Sequence, residues 1–473
     1  MIENGTPTRA WRKAPAGRAL ALLTALAVAF AGSAPARAQD ATTRGMPIIR
    51  DTEIEQLLRD YAAPVLGTAG LAKQNVRVVV LGDRTFNAFV MDGRHIFINT
   101  GALFDAKTPN EIIGVFAHET GHLAGGHLQR LREQLANAQT ASIIALLAGV
   151  GAMVAGSRSG AAGGGDIGVA AIMAPQSAIQ RSLLAYVRTQ EDQADHAGVK
   201  FLNATGQSPK GMLELFKRLA NESLFNSRYI DPYLQSHPMP AERIAALETL
   251  AKTSAYFDRK DSSELQLRHD MMRAKLSGFL DRPDTVARRY PLGDNSLPAR
   301  YARAISTYRH GDTRDAVTQI DGLIQTQPNN PYFYELKGQA LLEGGRPAEA
   351  IAPLRHAVSI ARGAPLMDIM LGQALIATNT PKNAEEAVPL LNAALSREPE
   401  STDAYAQLAM AYGRKGDLAH ADLAAAQAAF MRGDAMTARQ LATRAKTRLP
   451  VGSPAWVRAD DLVTVKPANA ANK

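Results

Sequence analysis

The sharpest chemical signal in this 473-residue sequence is His118-Glu119-Thr120-Gly121-His122. On a helix, side chains four positions apart share a face about one turn apart, so both imidazoles can reach one metal ion. Glu119, next to the first histidine, is placed to take a proton from water and then hand it to a leaving amine. The competing reading is a pair of core histidines. Cysteine is absent, which removes disulfides, a Cys nucleophile, thiolate ligands and a lipid-modified N-terminal Cys. A metal site must then use His, Asp or Glu, the donors of catalytic zinc.

Zinc needs a third protein ligand. Six residues after His122 stands Leu128, so a third histidine at that position is missing. His127 is one residue off and would point elsewhere if the helix ran on. A better candidate lies downstream, where Leu184, Val187, Glu191, Asp195, Gly198 and Leu202 form one helical stripe. Buried carboxylates without partners are costly. Glu191 as ligand, with Asp195 accepting a hydrogen bond from a ligand histidine, satisfies both. Otherwise the stripe is tilted and both acids face water.

These residues need a scaffold. Thr108-Pro109-Asn110-Glu111 reads as a capping box with proline at the first helical position, and Ile112, Phe116 and Leu123 supply an apolar stripe. Val76 to Leu81 and His95 to Asn99 read as strands, with Gly93 marking a turn. Phe86 to Asn99 is expected to offer an edge strand to which an extended substrate adds. The apolar, Gly-rich stretch 142–174 reads as a hydrophobic hairpin or flap, each arm being short for a membrane span.

From Leu297 the chain repeats itself. Gly311, Gly345 and Asn379 stand 34 residues apart, and Gly416 follows 37 later. Pro328, Pro365 and Pro399 punctuate the series, and Ala316, Ala350 and Ala387 recur one turn into the second helix of each unit. This period resembles tetratricopeptide repeats, three to four of them, which stack because one helical pair cannot bury its apolar face alone. Such arrays expose a concave face that holds peptide or protein.

At the N-terminus, Arg9, Arg12, Lys13 and Arg18 precede the apolar run Ala19 to Ala31, and Ala36-Arg37-Ala38 offers a cleavage site. This is the pattern of a cleavable signal peptide. Removing residues 1–38 takes five basic residues and one acid, so the net charge of +8 falls by four to +4. No basic cluster argues for nucleic acid.

Taken together, HExxH followed by Glu191-Asp192-Gln193-Ala194-Asp195 resembles the gluzincin family that includes the CaaX prenyl endopeptidases and the bacterial heat-shock membrane protease. Asn87-Ala88-Phe89 resembles that family's strand before the catalytic helix, and His237-Pro238 with Arg243 its H-P-x-x-x-x-R segment. The family's membrane-spanning helices are missing here, as in its soluble, repeat-bearing branch. The resemblance implies an α+β zincin-like peptidase domain, mainly helical with a small sheet, followed by an all-α solenoid. Residues 1–38 are then a signal peptide, 48–255 the peptidase, 256–296 a connecting helix and linker, 297–450 the repeats and 451–473 a tail. It implies one Zn2+ on His118, His122 and Glu191, with Glu119 as base and Asp195 supporting. His237 either donates to the oxyanion, alongside Arg243, or fills the fourth ligand position at rest. The setting it implies is periplasmic: unfolded or stalled exported proteins as clients, and the outer-membrane protein assembly machinery as a partner of the repeats. The alternative is a chaperone or scaffold whose peptidase is latent.

Overall fold

The computed structural model of the chain describes residues 47–140, 164–225 and 232–464. The signal-peptide reading and most of the apolar Gly-rich stretch lie outside the described residues. Where the described residues resume, at Gly164, they are helical, in a 41-residue helix.

The chain begins with β1 (Ile48–Ile49) and α1 (Thr52–Thr68), then β2 (Arg77–Leu81), β3 (Ala88–Val90) and β4 (His95–Asn99). The sheet order is β1-β2-β4-β3, with β2 parallel to β4 and the other pairs antiparallel. β4 is therefore interior, and its Ile96, Phe97 and Ile98 are fully buried. Within the segment Phe86 to Asn99 it is therefore β3, not β4, that lies at the edge of the sheet.

α2 (Thr100–Asp105) leads to α3 (Pro109–Gly125), whose residues are buried from Pro109 through His122. The expected capping box does not form, and Glu111 reaches one residue beyond the cap. Thr108 makes no side-chain cap, while Glu111 accepts from the Lys107 N–H at 3.1 Å and pairs with Arg218 at 2.7 Å. α4 (Gly164–Ala204), α5 (Lys210–Phe225), α6 (Pro232–Ser236) and α7 (Ala241–Lys252) then close around α3. Leu57, Tyr61, Ile98, Ile112, Phe116, Leu202 and Phe216 belong to one apolar core.

α8 (Ser263–Leu280) and α9 (Pro283–Arg289) occupy the stretch read as helix and linker. α8 is no tether. Its Met272 and Leu276 enter the peptidase core, while Met271 and Ala274 enter a second core with Tyr301, Ile305 and Phe333. Behind it stand five antiparallel helical pairs, α10 (Leu297–His310) with α11 (Thr313–Thr326), α12 (Pro331–Glu343) with α13 (Pro347–Ile360), α14 (Pro365–Ala377) with α15 (Pro381–Arg397), α16 (Thr402–Lys415) with α17 (Leu418–Met431), and α18 (Ala435–Lys446) with α19 (Pro454–Thr464). The turns inside the second to fourth pairs fall on the repeated positions Gly345, Asn379 and Gly416, each with positive φ. The last pair uses residues expected to be a tail: Ala455 and Ala459 of α19 pack with Leu423, Ala445 and Leu449. Among the described residues, no helix is long and apolar enough to cross a membrane.

One buried polar cluster ties the two parts together. Lys275 of α8 is 3% exposed and lies 2.8 Å from Asp51 and 3.2 Å from Glu53 at the start of α1. The Tyr301 hydroxyl donates to Glu53 at 2.9 Å, and Thr52 donates to Glu335 of α12 at 2.8 Å. Burial, more than Lys275 offsets, raises the Glu335 carboxyl from 4.5 to about 7. A carboxyl raised in this way binds more protons folded than unfolded, so stability falls as pH rises through that window. Glu335→Gln is expected to flatten the fall in melting temperature between about pH 5 and 8 and to exceed wild type at pH 8. A melting series across that range checks it; a parallel slope in both proteins refutes the assignment.

Candidate metal centre

α3 and α4 meet at unusually small residues. A Cβ on Gly121 would stand 2.9 Å from the Ala194 carbonyl oxygen, and one on Gly198 would stand 3.3 Å from the His118 amide nitrogen. Only this close backbone approach brings the stripe of α4 against the two histidines of α3. Glu191 and Asp195 are each 3% exposed, as the stripe required, although Leu184 at its head is 50% exposed.

The side chains converge. His118 Nδ1 is 2.9 Å from Asp195 Oδ1, which turns His118 Nε2 toward His122 Nε2 at 3.1 Å. Glu191 approaches His118 Nε2 at 3.4 Å and His122 Nε2 at 3.3 Å. His237 follows α6, and its Nδ1 lies 3.0 Å from Glu191 Oε2 and 3.3 Å from His118 Nε2. Donor atoms of His118, His122, Glu191 and His237 all lie within 4.8 Å of one another. The rings are shelved on aromatics: Phe216 meets His118 edge-on at 5.5 Å, and Tyr233 lies 4.6 Å from His237.

Glu119 is fully buried, and neither carboxylate oxygen has a hydrogen-bond partner among the described residues. His237 Nε2 lies 3.6 Å from Glu119 Oε1. Arg243 has a different place from the one expected. Its Nε and Nη2 donate to Asp195 at 2.7 and 2.9 Å, and Nη1 lies 2.8 Å from Glu191 and 3.0 Å from the Pro238 carbonyl oxygen. The guanidinium thus clamps the two acids from behind.

The electrostatics fit a divalent cation. Burial raises the Glu119 carboxyl. Burial also opposes ionisation of Glu191 and Asp195, yet His237 beside Glu191, and Arg243 and His118 beside Asp195, hold both low. The His122 imidazole is pushed down to about 3, chiefly by burial, which leaves Nε2 free to bind. His118 is held up at about 9, because Asp195 and Glu191 outweigh its burial. With His118 neutral as a ligand and Glu119 ionised as a base, three buried carboxylates would face one guanidinium, a deficit of two positive charges that a divalent metal would supply.

Sequence reasoning missed His127. Gly126 adopts φ 63° and ends α3, so the helical phase that would send His127 elsewhere stops there. The ring folds back, 3% exposed, with Nδ1 2.9 Å from His122 Nδ1. The Gly125-Gly126 pair before it was the available signal.

Residues 49–251 match peptidase family M48, and residues 301–365 match the tetratricopeptide repeat. The beta-barrel assembly-enhancing protease of Yersinia pestis is 22% identical over 422 residues, 88% of this chain and 83% of that one. A Vibrio cholerae protein bearing a provisional form of the same name is 30% identical over 198 residues, 42% of this chain but only 39% of its own length. Metalloprotease YcaL of Escherichia coli is 31% identical over 170 residues, 36% of this chain and 59% of that one. Residues 49–251 thus form a peptidase family M48 domain, and the chain is a metalloendopeptidase with tetratricopeptide repeats behind that domain.

Proposed function

We propose that this chain is a zinc-dependent endopeptidase of the cell envelope that removes unfolded or stalled exported proteins, with His118, His122 and Glu191 as zinc ligands and Glu119 as general base. The convergence of four buried donors beside an unpartnered Glu119 carries the reading. A zinc ion held by these donors supplies Lewis acidity toward water and the scissile carbonyl. Glu119 accepts the proton of the attacking water on a carboxylate oxygen and delivers it to the leaving amine nitrogen. Asp195 holds the His118 tautomer through Nδ1, and Arg243 fixes Asp195 and Glu191. The substrate backbone adds to β3, the edge strand that lies against α3. The names of the relatives support work on outer-membrane protein assembly, in a periplasmic setting, with the repeats holding that machinery or the client.

His237 occupies, in this reading, the fourth ligand position at rest and must move aside before substrate binds. Its Nδ1 stands among the donors, at 3.3 Å from His118 Nε2, which supports blocking over oxyanion donation. His237→Ala is then expected to raise basal casein hydrolysis and self-cleavage, both abolished by a chelator. A fall of about 100 to 1,000-fold would assign the oxyanion role instead. An unchanged rate would exclude both. A latent peptidase with client-binding repeats, the scaffold reading, shares this resting state and differs only if no partner ever raises the rate.

A further inference from the structure

We propose that His127 is the positioning residue that orients His122 for the metal, through a relay assembled by the Gly125-Gly126 turn. The inference deepens the metal reading above and rests on it. His122 faces His118 and Glu191 through Nε2, at 3.1 and 3.3 Å. If Nε2 gives its lone pair to a cation, the ring hydrogen must sit on Nδ1, because a neutral imidazole carries one. At 2.9 Å, His127 Nδ1 is where that hydrogen goes. His127 Nδ1 must then accept, which puts its own hydrogen on Nε2. The tautomers of both rings, His122 and His127, are thereby set together.

The two ligand histidines are thereby held by different chemistry. His118 donates to a carboxylate, Asp195, while His122 donates to a neutral imidazole. A second orienting carboxylate would deepen a deficit that already equals a divalent charge. The turn looks built for this purpose. A Cβ on Gly125 would stand 2.3 Å from His127 Nε2, so any other residue there displaces the ring. Gly126, at φ 63°, turns the chain back before residues 127–140 resume as helix. Gly125 itself has no positive φ, so alanine there is compatible with the helix and should not weaken it.

The test is zinc affinity of the metal-free full chain, by competition with a chromophoric chelator, with the cobalt(II) visible spectrum as a second readout. His127→Phe fills the space without an acceptor and is expected to weaken zinc about 10 to 100-fold, as loss of an orienting partner does. His127→Asn, whose carbonyl oxygen reaches the position of Nδ1, should stay within about threefold of wild type. Gly125→Ala should weaken zinc as much as His127→Phe without lowering the melting temperature of the metal-free protein. The double variant should be no weaker than either single one, since both remove the same contact. Wild-type affinity in His127→Phe, or equal loss in Phe and Asn variants, overturns the proposal in favour of plain packing. A wild-type chain that binds no zinc overturns the metal reading itself, a separate result.

Discussion

Glu119→Gln is expected to lower kcat by about 100 to 10,000-fold, roughly 3 to 5 kcal/mol of barrier, while about one zinc ion stays bound per chain. The amide keeps the size and loses the proton-accepting charge. Both Glu119 oxygens lack a partner among the described residues, so no structural bond is broken. Because burial already disfavours the charged form, the melting temperature should hold or rise. Glu191→Gln should behave in the opposite way and lose metal together with activity, since Glu191 meets both His118 and His122. Metal analysis beside casein turnover on both variants separates base from ligand. A metal-free Glu119→Gln protein, or a fully loaded Glu191→Gln one, would show the roles to be misassigned.

The second large effect lies far from the chemistry. Lys275→Ala is expected to destabilise the protein by about 3 to 5 kcal/mol, the cost of leaving buried charges uncompensated. Lys275 faces Asp51 and Glu53 at 2.8 and 3.2 Å, with Glu335 buried in the same cluster. Arg50 adds an outer strap to Glu398 at 2.7 Å. Denaturant melts give the number, and pairing Lys275→Met with Glu53→Gln should recover part of the loss. A loss below about 1 kcal/mol in Lys275→Ala would mean that the cluster is wet. The same geometry sets what removing the repeats should do. A chain ending before Leu297 would expose Met271 and Ala274 of α8 and strip Tyr301 from Glu53. Such a truncation is expected to aggregate, and a soluble, zinc-binding product would contradict it.

Much of the site was legible because its signals are local. A helix fixes the relation of residues four apart, so His118 and His122 had to share a face and Glu119 had to flank it. The same period joined Glu191 to Asp195, and the cost of burying acids said they needed partners. The repeat turns were legible too, since a left-handed turn admits few residues and so marks its period in Gly345, Asn379 and Gly416. What stayed hidden depends on contacts between segments far apart in the chain. Whether β4 was edge or interior turned on pairing with β2 and β3. Arg243 could face a substrate or the back of Asp195, and only the packing of α7 behind α4 chose the latter. His127 was misread because a helical phase was carried past Gly126, whose backbone turn redirects the next side chain. Lys275 reads as an ordinary helical lysine until α1 and the first repeats close over it. Periodicity constrains neighbours within one element, whereas the mutual placement of elements is set by long-range burial, which no short window of residues encodes.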